Sequence, residues 1–409
     1  MLNDILKKEY KDSLEISEEW LQNLKENSWK KLTENSWPIY KKDENWRYTD
    51  PKSFFEEIIF KPNKTDFDSL DKFLMKDMIN IVIKDGKMFC EDQDEAIEVL
   101  DIWNDKNREL LESNKDFFIG DSFKQLNNAL FNSGVVLKIK KDKKPKLPIH
   151  IIHVTDGSIF IKNVIIMEKF SKATILETIV SKNDGLASLT NLATDIILEE
   201  SSNLEHFKVE LITTNNNSFS NTNIKQKKDS SYKNFYFTNG GKNTRNEIIV
   251  DLNEKGAETS LDGIYLLKNR NHNDNYTLIN HYSPNTYSNQ LYKGILNDSS
   301  HAIFDGKIVV HPDAQEIRSN QLNQNLVLSD SAKIESKPQL EIGADDVKCS
   351  HGTTIGQLDS KQIFYFQSRG FSKEKAIEIL SKAFITKMLT KIDNERVKDY
   401  YSILVELSY

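Results

Sequence analysis

The sequence is poor in cysteine. Cys90 and Cys349 are the only two thiols among 409 residues. Two thiols are too few for the multiple disulfide bonds that hold small secreted domains together. Such a low cysteine content is typical of a protein in a reducing compartment, where thiols stay free.

Long apolar runs are also missing. No uninterrupted apolar run approaches the roughly 18 residues that a membrane-spanning helix needs. The first ten residues, MLNDILKKEY, lack the apolar core of a secretory signal. We therefore expect a cytoplasmic protein with no membrane association.

The chain has no excess of positive charge. It contains 62 acidic and 55 basic residues, which gives a formal net charge of −7. Proteins that bind nucleic acids in general carry a basic surface that neutralises phosphates. We therefore expect no nucleic-acid partner.

A nucleotide-binding loop of the form G-x-x-x-x-G-K-[ST] is absent. The glycine pair Gly352 and Gly356 is too closely spaced and is not followed by the lysine that contacts phosphates. The chain is therefore predicted not to hydrolyse ATP by itself.

The spacing of apolar residues divides the chain into three regions. Apolar side chains recur at helical spacing between Leu14 and Leu24, and another helix is predicted around residues 122–131. From Val135 to about Ile342, short alternating or β-branched runs replace helix-length segments, as in an all-β core. We predict a mostly helical N-terminal region, a β core and a C-terminal helical region, at 1–134, 135–360 and 361–409.

Turns of small residues are repeated through the β region. They precede strands at intervals of roughly 27 to 45 residues, for example near Ser171, Ser201 and Ser299. Regular repeats of this length are typical of coiled arrays of strands. A β-sandwich also fits this pattern, so the residues alone leave both architectures open.

The C-terminal region is predicted to contain a helix that begins at Lys373, with Ser372 as its N-cap, and a second helix from about Asn394 to Leu407. Two interpretations remain open for these helices. They can cover the end of the β core, or they can form a docking hairpin for another protein.

Cys349 and His351 form the most distinctive chemical feature of the chain. They are two positions apart in a predicted strand, so their side chains should lie on the same face. A thiolate and a neutral imidazole favour soft metals and iron–sulfur clusters over calcium or magnesium. Two ligands do not complete a site, because a closed metal site usually needs four. Cys349 can equally be a buried structural thiol.

Other polar residues are assigned less specific roles. Glu341, Asp345 and Asp346 are acidic neighbours of the Cys349–His351 pair that can assist iron entry or simply form a solvated turn. The remaining histidines considered are expected to have structural roles. His281 and His311 should bond within the β core, whereas His150 and His153 should face opposite sides of a strand and make a poor metal pair.

The sequences of several segments resemble those of the SufB/SufD family of iron–sulfur assembly proteins. The likeness extends over residues 281–370 almost without interruption, and WRYTD at 46–50 extends it towards the N-terminus. Within the family the chain resembles the SufD branch, because residues 325–335 lack the cysteine at which SufB receives sulfur. The matching strings are HYSP at 281–284, SNQLYKGIL at 288–296, FDGKIVVHPDAQ at 304–315, KPQLEI at 337–342, DDVKCSHG at 345–352 and FYFQSRG at 364–370.

This resemblance implies a mainly β fold, with a right-handed parallel β-helix core between helical N-terminal and C-terminal regions. It also implies a SufB-like partner and a SufC-like ATPase docked on residues 361–409, and a lone chain that can pair with a second copy of itself. His351, and less directly Cys349, would hold a nascent cluster at the edge that faces SufB. No tightly bound cofactor is implied, only a transient iron–sulfur cluster or iron at the subunit interface.

The function that follows is a non-catalytic scaffold for iron–sulfur cluster assembly. Sulfur would come from a desulfurase system, since no lysine has a recognisable pyridoxal-phosphate setting, and energy would come from the ATPase. The alternative is a purely structural partner that contributes no cluster ligand. A β-helical carbohydrate enzyme would need paired carboxylates in a groove, and the sequence offers no convincing pair.

Overall fold

In a computed structural model of the protein, the described residues are 4–15, 17–35, 37–56, 58, 60, 74–84, 87–90, 94–155, 157–181 and 187–408. Among them, seven α-helices occur at the two ends of the chain. They are α1 (Asp4–Glu15), α2 (Glu19–Glu34), α3 (Arg108–Ser113), α4 (Ser122–Leu130), α5 (Ser360–Ser368), α6 (Lys373–Leu389) and α7 (Glu395–Leu407). Within these ranges, none of the helices combines the length and the apolar character needed to cross a membrane.

Strands fill the centre of the chain. They are β1 (Ile79–Lys84), β2 (Lys87–Cys90), β3 (Ile97–Asp101), β4 (Val135–Ile139), β5 (Ile149–Thr155), β6 (Ile159–Met167), β7 (Lys172–Ser181), β8 (Leu189–Leu198), β9 (Asn203–Leu211), β10 (Asn217–Gln226), β11 (Ser231–Thr238), β12 (Asn243–Leu252), β13 (Glu258–Leu267), β14 (His272–His281), β15 (Tyr287–Leu296), β16 (His301–Val310), β17 (Ile317–Val327), β18 (Lys333–Ile342) and β19 (Val347–Gly356). Three of them, β1 to β3, come from the region predicted to be mostly helical.

The strands form a β-solenoid of about seven turns. Odd-numbered strands from β5 to β19 pair in parallel in one sheet, here called sheet A, and even-numbered strands from β4 to β18 pair in parallel in a second, sheet B. Ser288 pairs with Ser319, and Ser319 with Cys349, so one turn takes about 30 residues. The mainly β fold with a parallel β-helix core and helical ends is confirmed, and the sandwich alternative is wrong.

Corners between the two sheets explain the repeated small-residue turns. In four successive turns of the solenoid, Phe170, Ser201, Asp229 and Gly256 have positive φ values of 60°, 56°, 53° and 77°. Left-handed backbone favours glycine and short polar side chains. At Gly256 a Cβ atom would also approach Asp229 Oδ1 to 2.1 Å. The corner geometry therefore selects the residues that produce the pattern in the sequence.

Helices cover the outer faces of both sheets. Near the N-terminal end, α1, α2 and α4 pack on the outer face of sheet B through Leu21, Leu130 and Phe160. The other outer face, that of sheet A, is covered by α6 and α7, where Tyr401 is fully buried against Phe235. The C-terminal helices thus lie on a sheet face, and the interpretation that they cover the end of the β core is wrong.

The two ends of the solenoid differ. At the N-terminal end each sheet finishes with an antiparallel strand, β2 in sheet A and β3 in sheet B. At the other end the sheets finish with β19 and β18, and no described strand pairs with their outer edges. This second end, called here the open end, carries the Cys349–His351 pair.

Candidate functional site at the open end of the solenoid

Cys349 and His351 lie on β19, the last strand of sheet A. Their register partners on β17 are Ser319 and Gln321, both of which face the solenoid interior and are buried. Cys349 is half-buried and packs against the interior apolar cluster, whereas His351 is exposed. Because strand residues alternate, the two side chains share the inner face, as the sequence predicted.

Burial controls the chemistry of the thiol. It raises the pKa of Cys349, against an opposing hydrogen bond from the Ser319 backbone. The group is therefore a protonated thiol at neutral pH, and it must lose its proton to bind a metal. Cys349 alone is a weak nucleophile, and it becomes a good ligand only when a metal ion is delivered to it.

The opposite wall of the open end is β18. Thr353 of β19 donates a hydrogen bond to Ser336 of β18 across the interior, with an oxygen–oxygen distance of 2.8 Å. Pro338 follows Ser336 on the same inner face and pairs in register with Gly306. The two edge strands thus form a slot, with an imidazole and a thiol on one wall and mostly apolar groups on the other.

The acidic neighbours do not converge on this slot. Glu341 occupies an outward position of β18 and forms a 2.6 Å ion pair with Lys307. Asp345 and Asp346 are exposed in the loop between β18 and β19, where the Asp346 backbone N–H donates to Gln315. In the part of the chain that the structure describes, no group of three or more His, Cys, Asp or Glu side chains is arranged to hold a metal ion.

The WRYTD segment is joined to the solenoid by Thr49 and Trp46. Thr49 donates a hydrogen bond to the Asp274 carboxylate and contacts His272 Nε2 at 2.9 Å. Trp46 covers the guanidinium of the buried Arg245 at 4.2 Å. These contacts explain the segment as an anchor of the N-terminal region on sheet B. Sequence reasoning did not identify Arg245, because no local pattern marks it.

An ion pair connects this N-terminal segment to the open end of the solenoid. Lys337 of β18 contacts Glu44, two residues before Trp46, at 2.6 Å, and Asp305 at 3.7 Å. Lys337 and Pro338 are adjacent, so the N-terminal segment touches the strand that forms the apolar wall of the slot.

The other histidines have structural contacts. His281 is fully buried and bonds Thr286 through Nδ1 at 2.7 Å and Ser288 through Nε2 at 2.9 Å. This confirms its predicted role within the β core. His311 stacks on Tyr282 with ring centroids 4.2 Å apart.

His150 and His153 leave their strand on opposite sides, as predicted. His150 bonds Thr178 at 2.8 Å and lies near the Tyr400 ring of α7 outside sheet A. His153 bonds Asn163 of sheet B at 2.9 Å across the interior. They are therefore unsuited to bind one metal ion together.

The buried His281 makes a testable contribution to stability. Burial lowers its pKa to about 4, whereas an unfolded histidine titrates near 6.5. Below pH 6.5 the unfolded chain takes up a proton that folded His281 does not, so stability is lost as the pH falls. We expect the stability advantage of the wild type over His281→Gln to shrink by about 1.4 kcal/mol between pH 7.5 and 5.5.

Urea unfolding of both proteins at the two pH values measures this change. The comparison between variants is needed because Glu247, whose pKa is raised by burial and by Asp121, titrates with the opposite sign in the same range. Glu247 is common to both proteins and cancels. An advantage of the wild type that is equal at both pH values would contradict a neutral buried His281.

Comparisons with known proteins agree with the geometry. Residues 150–384 match the family described as SUF system FeS cluster assembly, SufBD core domain. The chain is 27% identical over 371 residues to the iron–sulfur cluster assembly protein SufD of Escherichia coli K12, covering 88% of this chain and 86% of that protein.

Two further relatives match the chain at similar identity. A SufBD family protein of Synechocystis is 30% identical over 282 residues, which cover 66% of this chain and 62% of that protein. The chloroplastic protein ABCI7 of Arabidopsis thaliana is 26% identical over 405 residues, or 93% of this chain and 84% of that protein. The family match spans more than half of the chain and includes most of the solenoid, β19 with its Cys349–His351 pair, and most of α6. The chain therefore belongs to the SufB/SufD family of the SUF iron–sulfur cluster assembly system and is similar to its SufD members.

Proposed function

We propose that this chain is a non-catalytic scaffold subunit of a SufBCD-type complex, in which it pairs with a SufB-like subunit and docks a SufC-like ATPase. The observation that carries the proposal is the open end, where the outer edges of β18 and β19, with which no described strand pairs, lie beside Cys349 and His351. An edge of this kind invites pairing with another strand. The nascent iron–sulfur cluster is the cargo of this interface, which we expect to operate in the cytoplasm.

The two edges differ in their capacity for pairing. The Lys333 N–H donates to the Ser300 carbonyl on the side of the neighbouring strand β16. Successive N–H groups along a strand point alternately to its two sides. Pro338, five residues later, therefore lacks its N–H on the outer side of β18. The other edge strand, β19, contains no proline. We infer that a partner strand pairs mainly with β19, which also brings it next to His351.

The ligand content of the open end supports a shared site. His351 is exposed and Cys349 is half-buried on the same face, which supplies two donors where a closed site usually needs four. Histidine replaces cysteine as a ligand in Rieske clusters, so an imidazole is chemically suitable. The SufB-like partner would supply the remaining ligands.

The docking surface for the ATPase is assigned to α5 and the helices that support it. No residue of α5 is buried, and Phe364 and Tyr365 are 70% and 55% exposed. The Arg369 guanidinium lies 5.1 Å from the Tyr365 ring centroid. Exposed aromatic groups beside an arginine are typical of the centre of a protein interface.

Two alternative forms of this proposal use the same surface. The lone chain can pair with a second copy through β19, and the SufB-like subunit would then replace that copy. Alternatively, the chain stabilises the complex without contributing a ligand. This second alternative differs from the scaffold proposal only in whether His351 binds the cluster.

Co-expression with the SufB-like and SufC-like proteins of the same organism tests the proposal. We expect the three proteins to purify together, and His351→Ala to retain this complex but lower the cluster yield on reconstitution about tenfold or more. The double variant Phe364→Ala and Tyr365→Ala should lose the ATPase and keep the SufB-like subunit.

Controls separate these effects from general damage. Ser350→Ala alters the outward face of the same strand, where the Ser350 hydroxyl donates to Asn320, and should leave the cluster yield unchanged. Phe89→Ala removes an exposed aromatic group, 52% exposed, from the opposite end of the solenoid and should keep the ATPase. An unchanged cluster yield in His351→Ala would favour the purely structural role, and an intact chain that binds neither partner would refute the scaffold assignment.

A further inference from the structure

A ladder of hydrogen-bonded side chains runs through the solenoid interior towards β19. Gln290 donates to Thr277 with a nitrogen–oxygen distance of 2.6 Å, and Gln321 donates to Gln290 with a distance of 2.7 Å. All three side chains are fully buried. Gln290 and Gln321 are register partners on β15 and β17, and the next residue in this register is His351.

The ladder ends in an acceptor without a partner. Gln321 Oε1 is buried and, within the described residues, forms no hydrogen bond. A buried carbonyl group that lacks a hydrogen bond costs about 1–3 kcal/mol, so such groups are rare in native proteins. Gln321, which carries this unused acceptor, is the register partner of the candidate ligand His351.

The opposite strand leaves room for this amide. Gly306 of β16 lies across the interior, and a Cβ atom there would be 2.3 Å from Gln321 Nε2. Any larger residue would displace the Gln321 side chain. Two independent features therefore fix the position of Gln321, namely the bond to Gln290 below it and the missing side chain at Gly306.

We propose that Gln321 is a positioning residue for His351. Its Oε1 accepts the ring N–H of His351 when the imidazole is seated at the partner interface. The other ring nitrogen then carries its lone pair away from the interior, towards the open end. Metal-binding histidines generally donate their second ring N–H to a carboxylate or carbonyl, which fixes the tautomer and the ring orientation. This inference rests on the proposed role of His351 in cluster assembly.

The tautomer of His351 in the metal-free complex with the SufB-like and SufC-like proteins provides the main test. Nitrogen-15 spectra of ring-labelled histidine distinguish the two tautomers, and the loss of one signal set in His351→Gln identifies His351. We expect one dominant tautomer in the wild type. In Gln321→Leu the ratio should move to that of a solvent-exposed imidazole, and the cluster yield of the three-protein complex should fall roughly tenfold.

Two further variants keep the test decisive. Gly306→Ala displaces the Gln321 amide without removing it and should produce the same change, which covers the case in which Gln321→Leu does not fold. Gln324→Leu makes the same substitution at an outward position of β17 and should leave the tautomer ratio unchanged. A folded Gln321→Leu or Gly306→Ala protein with the wild-type ratio would overturn the proposal.

The failures of the two proposals are distinguishable. If His351→Ala abolishes cluster formation but the tautomer ratio is independent of Gln321, only the positioning role is wrong. If the tautomer ratio depends on Gln321 but His351→Ala still forms clusters normally, His351 has no role in cluster assembly. The ladder then has only a structural role.

Discussion

Replacing Arg245 by methionine is expected to lower the free energy of unfolding by about 3–5 kcal/mol. The Arg245 side chain is 1% exposed and bonds Glu247 at 2.8 Å and the Asp274 carboxylate. The Trp46 ring lies over its guanidinium at 4.2 Å and the Tyr276 ring at 5.5 Å. One side chain thus joins two strands of sheet B to the N-terminal anchor.

The size of this effect follows from the charges that would remain. Burial lowers the pKa of Arg245, but the Asp274 and Glu247 carboxylates outweigh it and raise the pKa above the ordinary value. Burial and the Asp121 carboxylate already raise the pKa of Glu247. Without the guanidinium, Glu247 and Asp274 would be buried carboxylates without their countercharge, and such groups are strongly unfavourable.

Urea unfolding monitored by far-UV circular dichroism measures the change. Arg270→Met is the matched control, because Arg270 lies exposed in a solenoid corner and should cost less than about 0.5 kcal/mol. Arg245→Lys keeps the charge but not the planar group that bonds two carboxylates, so its cost should be intermediate. Equal stability of Arg245→Met and Arg270→Met would mean that the anchor does not depend on this charge cluster.

The sequence predicted local structure well where a local cause exists. The β core was predicted to begin at Val135, and β4 begins there, because β-branched residues mark its start. Helix α6 begins at Lys373 with Ser372 as its N-cap, because the Ser372 hydroxyl accepts the Lys375 N–H at 3.1 Å. Caps and corners depend on neighbours in sequence, so their signals are visible without the fold.

The faces of the strands were less predictable. In β9, alternation identifies a strand but not its inner side. Phe207 and Val209 face the C-terminal helices outside the solenoid, whereas His206, Lys208 and Glu210 are buried in the interior. A polar interior contradicts the usual rule that apolar residues mark the core. The outward apolar side chains are buried by α6 and α7, and the interior His206 and Lys208 form hydrogen bonds with Tyr232 and Asn246.

In the candidate site, too, some features follow from local sequence and others depend on the fold. That Cys349 and His351 share a face follows from their spacing, and the family resemblance assigned them to an edge. The ladder beneath His351 was not predicted, because it links residues one solenoid turn apart. No pattern within a single strand reveals that Gln290, Gln321 and His351 occupy one register column.

Replacing Tyr401 by alanine is expected to cost about 3–5 kcal/mol of unfolding free energy. The ring is fully buried between α7 and sheet A, with its centroid 5.1 Å from that of Phe235 in an edge-to-face arrangement. Its hydroxyl donates to the Phe235 carbonyl at 2.7 Å. Alanine would leave a cavity and remove this hydrogen bond, whereas phenylalanine would remove only the hydrogen bond at a cost of about 1 kcal/mol.

Urea unfolding of Tyr401→Ala, Tyr401→Phe and Ile403→Ala ranks these contributions. Ile403 is on the same helix and 55% exposed, so its removal should have little effect. If Tyr401→Ala cost no more than Ile403→Ala, α7 would contribute little to the stability of the core.

The same contacts decide how partner binding should be tested. A chain truncated after Ser360 would lose nearly all of α5 and the whole of α6 and α7, and would expose the apolar face formed by Phe207, Phe235 and Phe237. An ATPase lost from that chain could reflect a damaged solenoid as easily as a missing docking site. Phe364 and Tyr365 avoid this ambiguity, because both are exposed and α5 has no buried residue. Point variants in α5 therefore separate docking from stability, which removal of the C-terminal region cannot do.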